Sequence, residues 1–134
     1  MKKYSLLKFN ELGDSRGKLV VAEGLKDVPF DIKRIFYIYD TKDEVIRGQH
    51  ANRNSKFVLI NLQGSVNIEI DDGYNKDVVV LDKPHEGVFL ESMVWKEMKD
   101  FSRDSILLVL ASEGFDSGEY IRDYEEFLNE VRKS

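Results

Sequence analysis

The sequence contains no cysteine, and its only histidines are His50 and His85. The first absence removes disulfides, thiolate nucleophiles, iron–sulfur clusters and cysteine-type zinc sites. The second removes a three-histidine metal centre within one chain. Proline is also scarce, at 2 residues, and with 9 glycines the composition is neither collagen-like nor low-complexity. No apolar run approaches the roughly 18 residues that a membrane-spanning helix needs. The basic start Met1-Lys2-Lys3 leads into no apolar stretch of a secretion signal. A soluble, cytoplasmic chain with no membrane partner is expected. What remains fits one domain over 1–134, since 134 residues leave no room for a second independent core.

Positive charge is not in excess either. Twenty Lys and Arg face 25 Asp and Glu, for a net charge of −5, and no nucleic-acid partner is expected. Arg47, Arg53 and Lys56 stand close together in this acidic chain. Such a trio is either a solvated strand edge or the grip for a small anion such as a diphosphate.

Short apolar runs at strand length, separated by turn residues, dominate the pattern. Strands are expected over Lys18–Glu23, Arg34–Tyr39, Phe57–Leu62, Val78–Leu81, Val88–Leu90, Trp95–Met98 and Ser105–Leu110. Val66, Ile68 and Ile70 alternate with Asn67 and Glu69 at period two, and Asp72-Gly73 signals a hairpin turn. Tyr120, Ile121, Tyr124, Phe127, Leu128 and Val131 form one stripe of a helix in the tail. About nine short strands and one terminal helix describe an antiparallel barrel or jelly roll, with a pocket at one mouth.

Within that frame, the polar segment from Arg47 to Lys56 is hard to explain as packing, because it runs straight into the apolar strand at Phe57. Along an extended chain His50, Asn52, Asn54 and Lys56 share one face. If that face is the barrel interior, a ligand or water network is implied, because unpartnered buried polar groups cost about 1–3 kcal/mol each. If it is solvent, nothing follows. On the preceding strand, Phe36 and Ile38 share one face while Ile35, Tyr37 and Tyr39 share the other. The tyrosines are either a core-to-rim packing feature or donors to a developing enolate oxygen. Trp95 either caps the core or stacks on a base. His85 reads as a surface-turn histidine.

Six motifs occur in order: Gly13-Asp14-x-Arg16-Gly17, Lys33-Arg34-x-x-Tyr37-x-Tyr39, Arg47-Gly48-x-His50-Ala51, Asp71-Asp72-Gly73, Met93-Val94-Trp95-x-Glu97-Met98 and Tyr120-Ile121-Arg122-Asp123-Tyr124. Together they resemble the nucleotide-sugar 3,4-ketoisomerases of the cupin superfamily, from about Asp14 to Phe127. The resemblance implies an all-β, cupin-type jelly roll with a short C-terminal helix, assembled as a strand-exchanged homodimer. It also implies conversion of dTDP-4-keto-6-deoxyglucose to the 3-keto sugar, for dTDP-linked amino sugars of surface glycans. A related nucleotide-sugar epimerase and a non-catalytic sugar-nucleotide binder are the alternatives.

Metal-binding cupins carry His-x-His and then Glu on one strand, with a third His later. By the resemblance, His50, Asn52, Lys56 and Trp95 fall on those four positions. One ligand of four survives and the lysine would repel a cation, so no metal and no other cofactor is expected. The ketoisomerases usually carry His-Ala-His, whereas this chain has His50-Ala51-Asn52, and asparagine cannot exchange a proton near pH 7. On this reading His50 is the base and Asn52 donates to a sugar oxygen. Tyr37 or Tyr39 relays a proton between O3 and O4. Arg16 and Arg47 grip the diphosphate, followed by Lys56 and Arg53, and Trp95 stacks on the base.

Overall fold

Twelve strands, one short 3-10 turn at Ser117–Glu119 and one α-helix are present among residues 2–133, which the computed structural model describes. The strands are β1 Tyr4–Lys8, β2 Glu11–Asp14, β3 Gly17–Val20, β4 Arg34–Tyr39, β5 Arg47–Asn52, β6 Phe57–Gln63, β7 Val66–Asp71, β8 Lys76–Leu81, β9 Glu86–Leu90, β10 Trp95–Lys99, β11 Ile106–Ala111 and β12 Tyr120–Ile121, and the helix is α1 Tyr124–Arg132. Two five-stranded antiparallel sheets carry the fold, one in the order β1-β9-β6-β11-β4 and the other β12-β5-β10-β7-β8. This is the expected jelly roll with a short C-terminal helix.

The alternation along each strand decides which side chains meet between the sheets. Val66, Ile68 and Ile70 of β7 face Leu59, Val88, Leu90, Leu107 and Val109 from the other sheet in the largest buried cluster. β6 and β11 read as nearly continuous apolar sequence because both of their faces are covered. Their outward residues Val58, Ile60 and Leu110 are roofed by Phe9, Val28 and Phe30 from the segments on either side of the β2–β3 hairpin. On the outer side of the second sheet, α1 lays Phe127 against Ala51, Trp95 and Ile121. Full burial of one such side chain contributes roughly 1.5–3 kcal/mol.

The helix begins at Tyr124, later than the apolar stripe suggested. Asp123 sits in extended geometry and its carboxylate accepts from the backbone N–H of Glu125, an N-cap that fixes the start. Tyr120 and Ile121 instead form β12, paired with Asn52 and Ala51 of β5. The strand count exceeds the expected nine because β1, β2 and β12 are short and mostly polar or exposed. Among the described residues β2 and β3 pair only with each other, in a hairpin whose residues are exposed but for half-buried Val20.

A bulge shapes the working end of β5. Gly48 and Gln49 both have positive φ (84° and 57°), and the register against β10 slips there, so that His50 lies opposite Lys96 and Gly48 opposite Glu97. A Cβ on Gly48 would meet the Lys96 carbonyl oxygen at 2.9 Å, so only glycine lets the strands approach this closely. Such a bulge re-aims the side chain that follows it.

Candidate active site

A cavity of about 130 Å³ opens at this end of the barrel. That is roughly the volume of four waters, so it admits the reacting end of a ligand and leaves the remainder at the mouth. Phe36 and Ile38 of β4, Leu59 of β6 and Val109 of β11 give it apolar walls. His50, Lys96 and Tyr120 are its polar side chains, with Arg47 at the rim.

His50 is half-buried, and its Nδ1 lies 3.0 Å from the Gly48 carbonyl oxygen. A carbonyl can only accept, so Nδ1 carries the proton and Nε2 keeps its lone pair. The ring packs against Tyr120 at 4.8 Å between centroids. Burial and then the charge of Lys96 push the imidazole down to about 4, the Gly48 hydrogen bond opposing them. His50 is therefore neutral near pH 7 and able to take a proton.

Lys96 is the residue that sequence reasoning missed. Its side chain is buried, 4% exposed, and its Nζ donates to Asn52 Oδ1 at 3.2 Å while lying 5.0 Å from the centre of the Phe57 ring. Burial pushes the amine down to about 7, partly offset by the Glu119 carboxylate. The signal was in the register: a strand Trp-Lys-Glu-Met with Met98 in the core must also turn Lys96 inward.

Glu119 is buried and accepts from the backbone N–H groups of Asn54 and Ser55, each at 2.8 Å, and from the Ser55 hydroxyl. Burial alone would raise its pKa, but these hydrogen bonds outweigh it and hold the carboxyl below its ordinary range. Asn52, 1% exposed, sits behind Lys96, and its Nδ2 makes no hydrogen bond of good geometry among the described residues.

The other sequence-predicted residues lie elsewhere. Tyr37 and Tyr39 stack on one another on the outer face of β4, 62% and 64% exposed. The strand's alternation that turns Phe36 and Ile38 into the cavity turns both hydroxyls away from it, so neither reaches His50 within the chain. Trp95 shares a β10 face with Glu97, its indole N–H donating to that carboxylate at 3.1 Å. Its ring packs on Tyr124 and Phe127, which removes it from the cavity. Arg53 is clamped to Glu130 at 2.7 Å and Glu126 at 3.3 Å on α1. Lys56 lies 3.9 Å from Glu91. The shared face of β5 holds for His50 and Asn52 and breaks at the turn 53–55, leaving Asn54 exposed. Arg16 stands at the tip of the β2–β3 hairpin, 89% exposed and bound to Asp14 at 2.8 Å.

Two further cations stand near the mouth. Arg34 lies over the Phe36 and Phe115 rings, and its buried Nε and Nη2 have no hydrogen-bond partner among the described residues. Arg122 covers the outer side of Tyr120 at 4.7 Å. Among the described residues, no three His, Cys, Asp or Glu side chains converge as a metal site would require.

Comparison with known proteins gives this geometry a family. The family described as FdtA: WxcM-like, C-terminal matches residues 2–132. The TDP-4-oxo-6-deoxy-alpha-D-glucose-3,4-oxoisomerase of Aneurinibacillus thermoaerophilus is 43% identical over 128 residues, 96% of this chain and 92% of that protein. The crystal structure of a 3,4-ketoisomerase from Helicobacter canadensis superposes with a TM-score of 0.95 at 46% identity, covering 98% of each chain. A histidine-to-asparagine mutant of the 3,4-ketoisomerase QdtA from Thermoanaerobacterium thermosaccharolyticum, in complex with TDP-4-keto-6-deoxyglucose, superposes with a TM-score of 0.96 at 38% identity, over 99% of this chain and 96% of that one. The chain belongs to the FdtA family and is an isomerase.

Proposed function

We propose that the chain converts TDP-4-keto-6-deoxyglucose to the 3-keto sugar, with His50 as the base. The observation that carries this reading is the His50 ring, half-buried in the cavity with Nδ1 tied to Gly48 and Nε2 unencumbered. A C3–H bond next to a C4 carbonyl is acidic enough for a neutral imidazole to break. The resulting enediolate gives the 3-ketone once a proton has left O3 and reached O4 and C4 has been reprotonated. General acid–base assistance of this kind contributes roughly 10²–10⁴-fold.

The diphosphate falls to the cations at the mouth. Arg47 lines the rim, and the unpartnered Nε and Nη2 of Arg34 suit an anion better than the phenyl rings now beside them. Holding that remote end positions C3 against His50. Arg16 joins them from a second copy of the chain in a strand-exchanged dimer. A hairpin that pairs with no other strand among the described residues supports this assembly, as does the apolar row Ile35, Tyr37 and Tyr39 on edge strand β4. A cytoplasmic location suits a chain without cysteine.

Incubation with TDP-4-keto-6-deoxyglucose in deuterated water tests the activity by NMR. A 3-keto product is expected. Exchange at C5 without it indicates an epimerase, and no exchange at all indicates a binding protein. His50→Asn is expected to abolish turnover while TDP affinity stays within a few-fold; retention of most activity removes His50 from the role of base.

A further inference from the structure

Ketone transfer from C4 to C3 moves two protons. One passes from carbon to carbon, and the other must leave the O3 hydroxyl and arrive on O4. His50 accounts for the first only. The hydroxyls of Tyr37 and Tyr39, which would suit the second, point out of the barrel.

We propose that Lys96 carries the oxygen-bound proton, donating from its ammonium to O4 and taking the proton of O3 back onto the resulting amine. This rests on the ketoisomerase reading above. The Lys96 side chain lines the same cavity as His50 and stands directly opposite it across the β5–β10 pair. Directly opposed residues place their Cβ atoms about 4.5–5.5 Å apart, so both can reach one pair of adjacent ring carbons. Asn52 accepts one N–H of the ammonium and cannot titrate itself, which leaves the other two N–H bonds for the ligand.

The bookkeeping of atoms closes. As Nε2 of His50 takes the C3 proton, the Lys96 ammonium protonates O4, giving a neutral enediol. Next the imidazolium returns its proton to C4 while the Lys96 amine removes the O3 proton, giving the 3-ketone. Both side chains end in their starting forms, and no oxidant or reductant is needed.

The surroundings suit an amine that gains and loses a proton. Glu119 is the carboxylate facing it, from the turn before β12, and Tyr120 follows on that strand. From β5 come His50 and, at the rim, Arg47, with Arg122 felt at His50; β7 presents Ile70 and β6 presents Phe57. With the amine pushed down to about 7 and the imidazole to about 4, the working pair of neutral His50 and protonated Lys96 prevails between those values. The Lys96 charge is one cause of the low His50 value, so passing the proton to O4 strengthens the base at that moment.

The test compares wild type, Lys96→Met and Lys96→Arg in turnover of TDP-4-keto-6-deoxyglucose across pH. Wild-type activity should fall above about pH 7. Both variants are expected to lose about 100-fold or more in kcat, with KM within three-fold and no descending limb near pH 7. Arginine keeps the charge and cannot release it near pH 7, so a purely electrostatic role would leave Lys96→Arg active at all pH values, with the descending limb gone. Either variant within three-fold of wild-type kcat, or a descending limb near pH 7 that survives in both, overturns the assignment. Wild type that turns over no substrate counts against the ketoisomerase reading itself, whereas normal wild-type turnover with active variants counts against Lys96 alone.

Discussion

The two faces of β10 differ in how completely their side chains are partnered. Trp95 and Glu97 look toward α1, where the indole N–H has its carboxylate and the ring its aromatic neighbours. Lys96 and Met98 look into the barrel, where a buried ammonium has one amide oxygen and a distant carboxylate. One face is satisfied by the chain itself. The other keeps donors in reserve, at a cost to the fold, and that is where a ligand does most.

The largest expected effect breaks the satisfied face. Phe127→Ala removes the fully buried ring beneath α1 and should lower stability by about 3–5 kcal/mol in urea unfolding. A loss below 1 kcal/mol would mean that the helix is not part of the cooperative unit.

The opposite substitution on the opposite face should stabilise. Unfolded lysine keeps its proton to its ordinary 10.5, whereas folded Lys96 keeps it only to about 7. Between those values the unfolded state binds more protons, so stability rises with pH, and below about 7 the burial cost is fully present. Lys96→Met should therefore gain roughly 1–3 kcal/mol at pH 6, with the gain shrinking toward pH 10. His50, lowered from 6.5 to about 4, adds a second rise between those values by the same logic. Tm measured from pH 4 to 10 should climb through both windows in wild type and lose the upper one in Lys96→Met. An upper rise that persists in the variant would place its origin elsewhere.

The smallest effect on the fold comes from the hairpin. Arg16→Ala should leave Tm unchanged, because its pairing with Asp14 is solvent-exposed. Its kcat/KM should nevertheless fall at least several-fold if a second copy delivers the guanidinium. Unchanged kinetics would remove Arg16 from the diphosphate grip, and light scattering would report the assembly directly.

Most of the barrel was legible because its strands are written in β-branched residues. Arg34–Tyr39 has the expected bounds, and Val66–Asp71 shows the alternation that the sheet requires. The tail misled for a physical reason: Ile121 of β12 and Phe127 of α1 enter the same cluster, so a strand and a helix together imitate one helical stripe. The N-cap at Asp123 was the better marker. Of the cavity, His50 was legible as a polar residue in a segment that packing could not explain. The tyrosines were not, because alternation fixes which residues share a face and not which face is inside. Lys96 escaped notice as a charged residue in a run read only for its apolar members.

One contact reaches further than its location suggests. Arg53, in the turn that follows His50 and Asn52, is held by Glu126 and Glu130 of the final helix. Among the described residues that helix contributes no atom to the cavity wall, yet it splints the bend from which the His50 strand hangs. A chain truncated before Tyr124 would retain every wall residue and lose its splint, so His50 and Lys96 would drift for want of something they never touch.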